Sequence, residues 1–293
     1  MKHVSPTSAG KPKPSLPKFI SSIAPPIIKE VLAEFRSHKT LRFFRKTFIG
    51  SFKNFSAVSQ NFHDVVSYNS SESEKEEISN AQKFRLAAED AKKGIPPKST
   101  DRQMLLCSLV STFPKSEVAI LDVGGGVGHS LAHLIYSCPN KKINLIVYEL
   151  TPIADIGRST FSGIKEISFI DNLKNLQSKI DFAFFGSSLQ YFEDYKSIFR
   201  QISLLSSEII ALSYTPVTSA PTFVTAQVNM KHRIIPAKVI NYQELLDFMS
   251  QLGFNPIFQS VSLTNVNFQN FSNPQSSSWF SNLVFAKTNS SES

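Results

Sequence analysis

Gly124, Gly125, Gly126 and Gly128 stand together where the apolar run Val118-Ala-Ile-Leu-Asp-Val123 ends. Only Val127 keeps a side chain in that stretch, so the backbone can turn sharply, adopt positive φ and approach a ligand closely. Asp122 is the one polar interruption of the run. Glu149 comes 21 positions after Gly128, at the end of a second apolar run that begins at Ile143. That distance is close to the ~20 expected for an acid that takes the hydroxyls of a ribose in a βαβ unit. Other polar residues stand where further apolar runs end: Asp171 after residues 166–170, Ser187, Ser188, Gln190 and Tyr191 after residues 180–185, and Tyr214 after residues 208–213. His232, between Lys231 and Arg233, is the candidate general base by position and by an ordinary pKa of about 6.5. The alternative reading is a surface histidine, with its two neighbours available to hold a phosphate or carboxylate.

The spacing of the glycines selects among ligands. A dinucleotide fingerprint needs G-x-G-x-x-G, and the third glycine falls on His129 or Leu131 in the two available registers, so NAD is disfavoured. A phosphate-binding P-loop needs Gly-Lys-Ser/Thr, and Gly128-His129-Ser130 has no lysine. What remains, apolar-Leu-Asp-apolar-Gly-x-Gly-x-Gly, resembles the first motif of class I S-adenosylmethionine-dependent methyltransferases. The loop after residue 185 lacks the Asn/Asp-Pro-Pro-aromatic sequence of the enzymes that methylate adenine amino groups, which argues against a base as acceptor. Cys107 and Cys138 lie 31 positions apart without neighbouring histidines, so no zinc site and no metal is expected. His129 and His133, four apart on the helix after the loop, read as pocket wall or surface.

Elements that would position these residues alternate along the chain. An acidic serine-rich start at 70–75 opens a helix that ends at Lys93-Gly94, and residues 101–112 form a second helix. These two are expected to cover the sheet edge and close over the cofactor. Strands follow at 118–123, 143–148, 166–170, 180–185 and 208–213, with helix or loop at 151–162, a helix at 242–252, and a closing antiparallel pair at 256–263 and 279–286. The expectation is an α/β fold: a doubly wound, mostly parallel sheet of seven strands, with the polar residues gathered at its carboxyl edge.

The segments Leu121-Asp-Val-Gly-Gly-Gly-Val-Gly128, Tyr148-Glu149, Gly186-Ser-Ser-Leu-Gln-Tyr-Phe-Glu-Asp-Tyr195, Tyr214-Thr-Pro216, Val224-Thr-Ala-Gln227 and 241–254 together resemble bacterial class I methyltransferases encoded among surface-polysaccharide genes. The resemblance spans about residues 20–286. It implies a Rossmann-like methyltransferase fold, S-adenosylmethionine as cofactor, Asp171 facing the adenine, and Gln190, Tyr191 and Tyr214 near the methyl end. Where that family is expected to carry a charged pair before Thr-Pro, this chain has Ser213-Tyr214. The acceptor is then a small or lipid-linked saccharide. A catalytically silent binding protein of the same fold and an RNA methyltransferase are the competing readings.

Composition sets the outer limits. The 293 residues, 41% hydrophobic and 18% charged, suit one full-sized domain with an extension. Residues 1–25 are basic and proline-rich and read as a disordered tail; 26–112 as an N-terminal helical extension and cap; 113–287 as the methyltransferase domain; 288–293 as a flexible end. Residues 1–55 hold 11 Lys and Arg against Glu30 and Glu34, or +9, which leaves −1 for the rest of the chain. A near-neutral domain argues against a long nucleic-acid groove. Ile27, Ile28, Val31, Leu32 and Phe35 make one apolar helical face in the basic segment, which either lies on an anionic membrane surface or packs on the domain. No run is long and apolar enough to span a membrane and no secretory signal is evident. Two cysteines without a framework suggest free thiols, and hence the cytoplasm.

Overall fold

The computed structural model describes residues 55–59, 61–65, 68–69, 71–98, 101–176, 179–205, 207–228, 233–262, 268–269 and 278–288. The expectations for residues 1–54, among them the tail and the basic apolar helix, lie outside the described residues.

Strands are β1 (Phe55–Ser59), β2 (Tyr68–Asn69), β3 (Glu117–Val123), β4 (Lys142–Tyr148), β5 (Ile167–Ile170), β6 (Phe182–Gly186), β7 (Ile209–Thr218), β8 (Phe223–Gln227), β9 (Arg233–Asn241), β10 (Phe254–Val261), β11 (Phe268–Gln269) and β12 (Ser278–Lys287). Helices are α1 (Ser71–Lys92), α2 (Asp101–Thr112), α3 (Ser130–Ser137), α4 (Thr151–Thr160), α5 (Tyr195–Leu204) and α6 (Tyr242–Gln251). α1 stops at Gly94, which takes φ 83° and accepts the left-handed cap that a Cβ would oppose.

β5, β4, β3, β6 and β7 lie side by side and parallel, and β12 then pairs antiparallel with β7 and with β10. This is the expected seven-stranded, mostly parallel, doubly wound sheet. The pleat shows why both faces carry helices. Val118 and Ile120 of β3 and Phe182 and Phe184 of β6 share one core with residues of α1, α2 and α3. Leu121 and Val123, with Ala183 and Phe185, share the other with residues of α5 and α6. A strand buried on both faces has to be apolar at consecutive positions, which is the pattern that made β3 and β6 readable.

Five strands were not expected. β8 and β9 form an antiparallel pair between β7 and α6, and β1 joins β8, β2 joins β9 and β11 joins β1. The stretch expected to be a helical extension and cap therefore contributes two strands, β1 and β2, beside its helices. Phe55, Ala237, Val239 and Phe280 form a small core here, against which Tyr191, Tyr214 and Phe223 pack.

β7 is the hinge between the two sheets. β6 accompanies it only as far as Ser213, opposite Gly186, and β9 takes up pairing at Val217 and Thr218. Between those points lies Tyr214, in the left-handed region at φ 53°, beside a register shift of β12 between Ser281 and Leu283. Asn282 stabilises the irregularity: its Oδ1 accepts from the Tyr214 amide at 2.9 Å and from Ser213 Oγ at 3.3 Å, while its Nδ2 donates to Ser260 Oγ at 3.2 Å. A bulge that re-aims one side chain at a sheet edge is a feature of functional sites.

Candidate active site

The glycine loop crosses from β3 to α3 with Gly124, Gly126 and Gly128 at φ 68°, 60° and 88°. Three of its glycines are needed for packing. A Cβ on Gly124 would fall 2.6 Å from Ser188 Cβ, on Gly125 2.5 Å from the Asp122 carboxyl carbon, and on Gly128 2.8 Å from Ile167. Gly126 differs, because nothing lies within 4 Å of where its Cβ would stand. Its face is the open one, and a ligand would meet main chain there.

Asp122 and Ser188 are both buried, each hydrogen-bonded within the chain. Asp122 is 1% exposed and accepts from Ser130 Oγ at 2.6 Å. Burial, with a smaller contribution from the nearby charge of Glu149, pushes its pKa up to about 7 against the relief given by Ser130. Ser188 is also buried and donates Oγ–H to the Val123 carbonyl. Both hold the loop from behind, so they position it.

Glu149 is where the spacing placed it, at the carboxyl end of β4. Oε1 accepts from the Gly126 amide at 3.0 Å and Oε2 from the Leu150 amide at 2.9 Å. Burial raises its pKa and these two hydrogen bonds lower it. Each oxygen keeps further acceptor capacity, so the carboxylate can bridge loop and ribose hydroxyls at once. Asp171 sits past the end of β5, partly exposed, with Oδ2 3.4 Å from Arg158 Nη2.

The other side of the site is the loop after β6. Ser187, at φ 62°, donates its amide to the Ser213 carbonyl at 2.8 Å. Gln190 is 1% exposed; its Nε2 donates to the Ser187 carbonyl at 2.8 Å, and its Oε1 is buried with no hydrogen-bond partner. Tyr191 donates its hydroxyl to Gln227 Oε1 at 2.7 Å, and burial raises its pKa. A phenol so tied is pocket wall and not a base at neutral pH. His232 lies outside the described residues.

Cap residues that the sequence did not single out complete the site. Arg233 of β9 pairs with Glu77 of α1, and the charges of both act on Glu149. Arg102 of α2 lies over the Tyr214 ring, 5.7 Å from its centroid. His129 stacks on Phe84 at 4.5 Å, meets His133 edge-on at 5.2 Å, and its Nδ1 lies 3.0 Å from Gln103 Nε2. Burial, then the charges of His133 and Arg102, press its pKa down to about 4. The histidine pair is thus wall that seats α1 and α2 beside the loop. Among the described residues no three His, Cys, Asp or Glu side chains are placed to hold a metal ion, and no helix is long and apolar enough to cross a membrane. Cys107 and Cys138 are free and buried. A surface groove of about 410 Å³ runs along α6 between Lys196, Glu244 and Gln251, and no residue of the glycine loop lines it.

No protein-family model matches the sequence, and no curated protein matches it either. Among solved structures, 1,6-didemethyltoxoflavin-N1-methyltransferase of Burkholderia thailandensis is similar at 14% identity and a TM-score of 0.42, over 64% of this chain and 79% of that one. Magnesium protoporphyrin IX methyltransferase of Synechocystis gives 14% and 0.43 over 64% and 81%. Geranyl diphosphate C-methyltransferase of Streptomyces coelicolor gives 11% and 0.45 over 64% and 76%. All three likenesses are remote, and what the chain does has to come from its own residues.

Proposed function

We propose that the chain is an S-adenosylmethionine-dependent methyltransferase that O-methylates a saccharide or saccharide-linked acceptor of surface-polysaccharide biosynthesis. The observation that carries the cofactor is Glu149. A strand-end carboxylate hydrogen-bonded to the amide of the one loop glycine with open space above it makes a ribose site continuous with a bare backbone surface. The residues fit a nucleoside whose diol lies on Glu149 and whose base lies toward Asp171.

Bound there, the cofactor supplies a methyl group on a sulfonium centre. The protein's share is to hold the acceptor oxygen in line with that methyl, opposite the sulfur, and to keep water away. Tyr191, its hydroxyl bonded to Gln227, and Tyr214, its backbone held by Asn282, both pack on the small core and are the wall for this. A sugar hydroxyl also needs its proton removed, and His232 is the proposed base, on the segment that joins β8 to β9. The saccharide acceptor rests on the family resemblance alone. A reaction of this kind belongs in the cytoplasm, where the basic residues of 1–55 would favour an anionic membrane surface.

The test is mass spectrometry of ligand that purifies with the protein, followed by a screen of nucleotide sugars with methyl-labelled cofactor. Label transferred to a sugar oxygen supports the reading. Label on no sugar, with transfer to RNA, would replace it. His232→Ala should keep cofactor binding, lose most turnover and lose the ascending limb of the pH–rate profile; unchanged turnover removes His232 from the mechanism.

A further inference from the structure

Arg102, the second residue of α2, stands among three parts of the site at once. Its guanidinium lies over the Tyr214 ring, and its charge acts on Tyr191 and on His129, in both cases behind the larger effect of burial. The Tyr214 platform is itself fixed, by a left-handed backbone and by Asn282. Several other cations of this domain are paired with carboxylates: Arg233 with Glu77, Arg158 with Asp155 and Asp171, Lys115 with Asp181 and Glu208, Lys196 with Glu244. Among the described residues Arg102 has neither a carboxylate nor a hydrogen-bond acceptor. It is exposed and presents five donors in a rigid fork held over an aromatic ring.

Its place across the sheet says what the fork would meet. Glu149 ends β4, on one side of β3, whereas Tyr191 and Tyr214 follow β6 and lie within β7, on the other. A ligand with its ribose on Glu149 and its 5′ end running over Gly126 delivers whatever follows the 5′ carbon to the β6–β7 side. In S-adenosylmethionine that portion is an amino acid with a carboxylate at its tip. We propose that Arg102 binds the carboxylate of the cofactor's methionine end and so fixes the direction in which the ligand crosses the loop. This rests on the cofactor reading above.

Calorimetry on the full chain at one ionic strength tests it, with S-adenosylhomocysteine and its decarboxylated analogue, which differ by the group in question. Arg102→Gln should weaken S-adenosylhomocysteine by about tenfold or more, the size of a lost charge-assisted pair, and leave the decarboxylated analogue unchanged. Arg102→Lys, which keeps charge without the fork, should fall between. If Arg102→Gln folds poorly, the lysine variant alone carries the same comparison. Equal affinity of wild type and Arg102→Gln for S-adenosylhomocysteine overturns the assignment and leaves the cofactor reading standing, as does an equal loss for both ligands. Failure of the wild type to bind either one removes the cofactor reading itself.

Discussion

Asp122 and His129 flank the glycine loop and titrate in opposite senses, which makes the loop's electrostatics measurable without any ligand. Asp122 moves from 3.8 to about 7 on folding. Between those values the unfolded chain sheds a proton that the folded one keeps, so stability falls as pH rises, by at most about 4 kcal/mol at 1.36 kcal/mol per pH unit. His129 moves from 6.5 down to about 4. Here the unfolded chain gains a proton that the folded one refuses, so stability falls as pH drops through the same range, by at most about 3 kcal/mol, less what solvent screens. The two nearly cancel in the wild type between about pH 4 and 6.5. Asp122→Asn keeps an acceptor for Ser130 Oγ and removes the titration, so it should expose the histidine slope: relative to wild type, stability drops toward acid. His129→Gln should show the reverse, a gain toward acid. Urea unfolding at fixed pH from 4 to 8 reads both, and subtracting the wild-type curve removes the contribution of all other groups. The slope is the diagnostic, because the amide in place of Asp122 shifts absolute stability by its own desolvation. Parallel pH curves for wild type and Asp122→Asn would refute the placement of that carboxyl group as buried and protonated near neutrality.

Glu149→Gln should weaken S-adenosylhomocysteine by about tenfold or more through loss of a charged acceptor, with calorimetry as the readout. Gly126→Val should fold with a penalty of about 1–2 kcal/mol for a β-branched residue at positive φ and lose ligand affinity well beyond what that strain explains, because its side chain fills the open face. Asn282→Ala leaves the Tyr214 amide without its acceptor and should cost about 1–3 kcal/mol in urea unfolding together with transfer activity. Tyr191→Phe removes one hydrogen bond, so it should cost about 1 kcal/mol while the pH–rate profile keeps its shape; a displaced profile would make Tyr191 a proton carrier.

The site was legible where its chemistry is local in the chain. Four glycines in five residues, and an acid 21 positions later, are constrained by one βαβ unit, and the sheet places them where the spacing implied. The hydrogen-bond partners within that unit were not legible: Asp122 accepts from Ser130, a pairing that no spacing pattern announces. The bond of Ser188 was hidden for the same reason, since it is to the Val123 carbonyl 65 positions earlier. β8 and β9 escaped notice because Pro236 sits inside β9, opposite Ala226, and proline argues against a strand. Phe55 pairing with Gln227 joins segments that share no local signal. Arg102 sits in Thr100-Asp-Arg-Gln103, where only the fold brings it over Tyr214, and that ring is aimed by Asn282, 68 positions away.

In the proposed function the loop from Gly124 to Gly128, with Glu149, is a site for the adenosyl cofactor. Calorimetric titration of the purified full chain with S-adenosylhomocysteine, with NAD in parallel, tests it most directly. One saturable site per chain is expected for S-adenosylhomocysteine, weakened in Glu149→Gln, with weaker or no binding of NAD. Preferential binding of NAD, or S-adenosylhomocysteine affinity that survives Glu149→Gln unchanged, would contradict it.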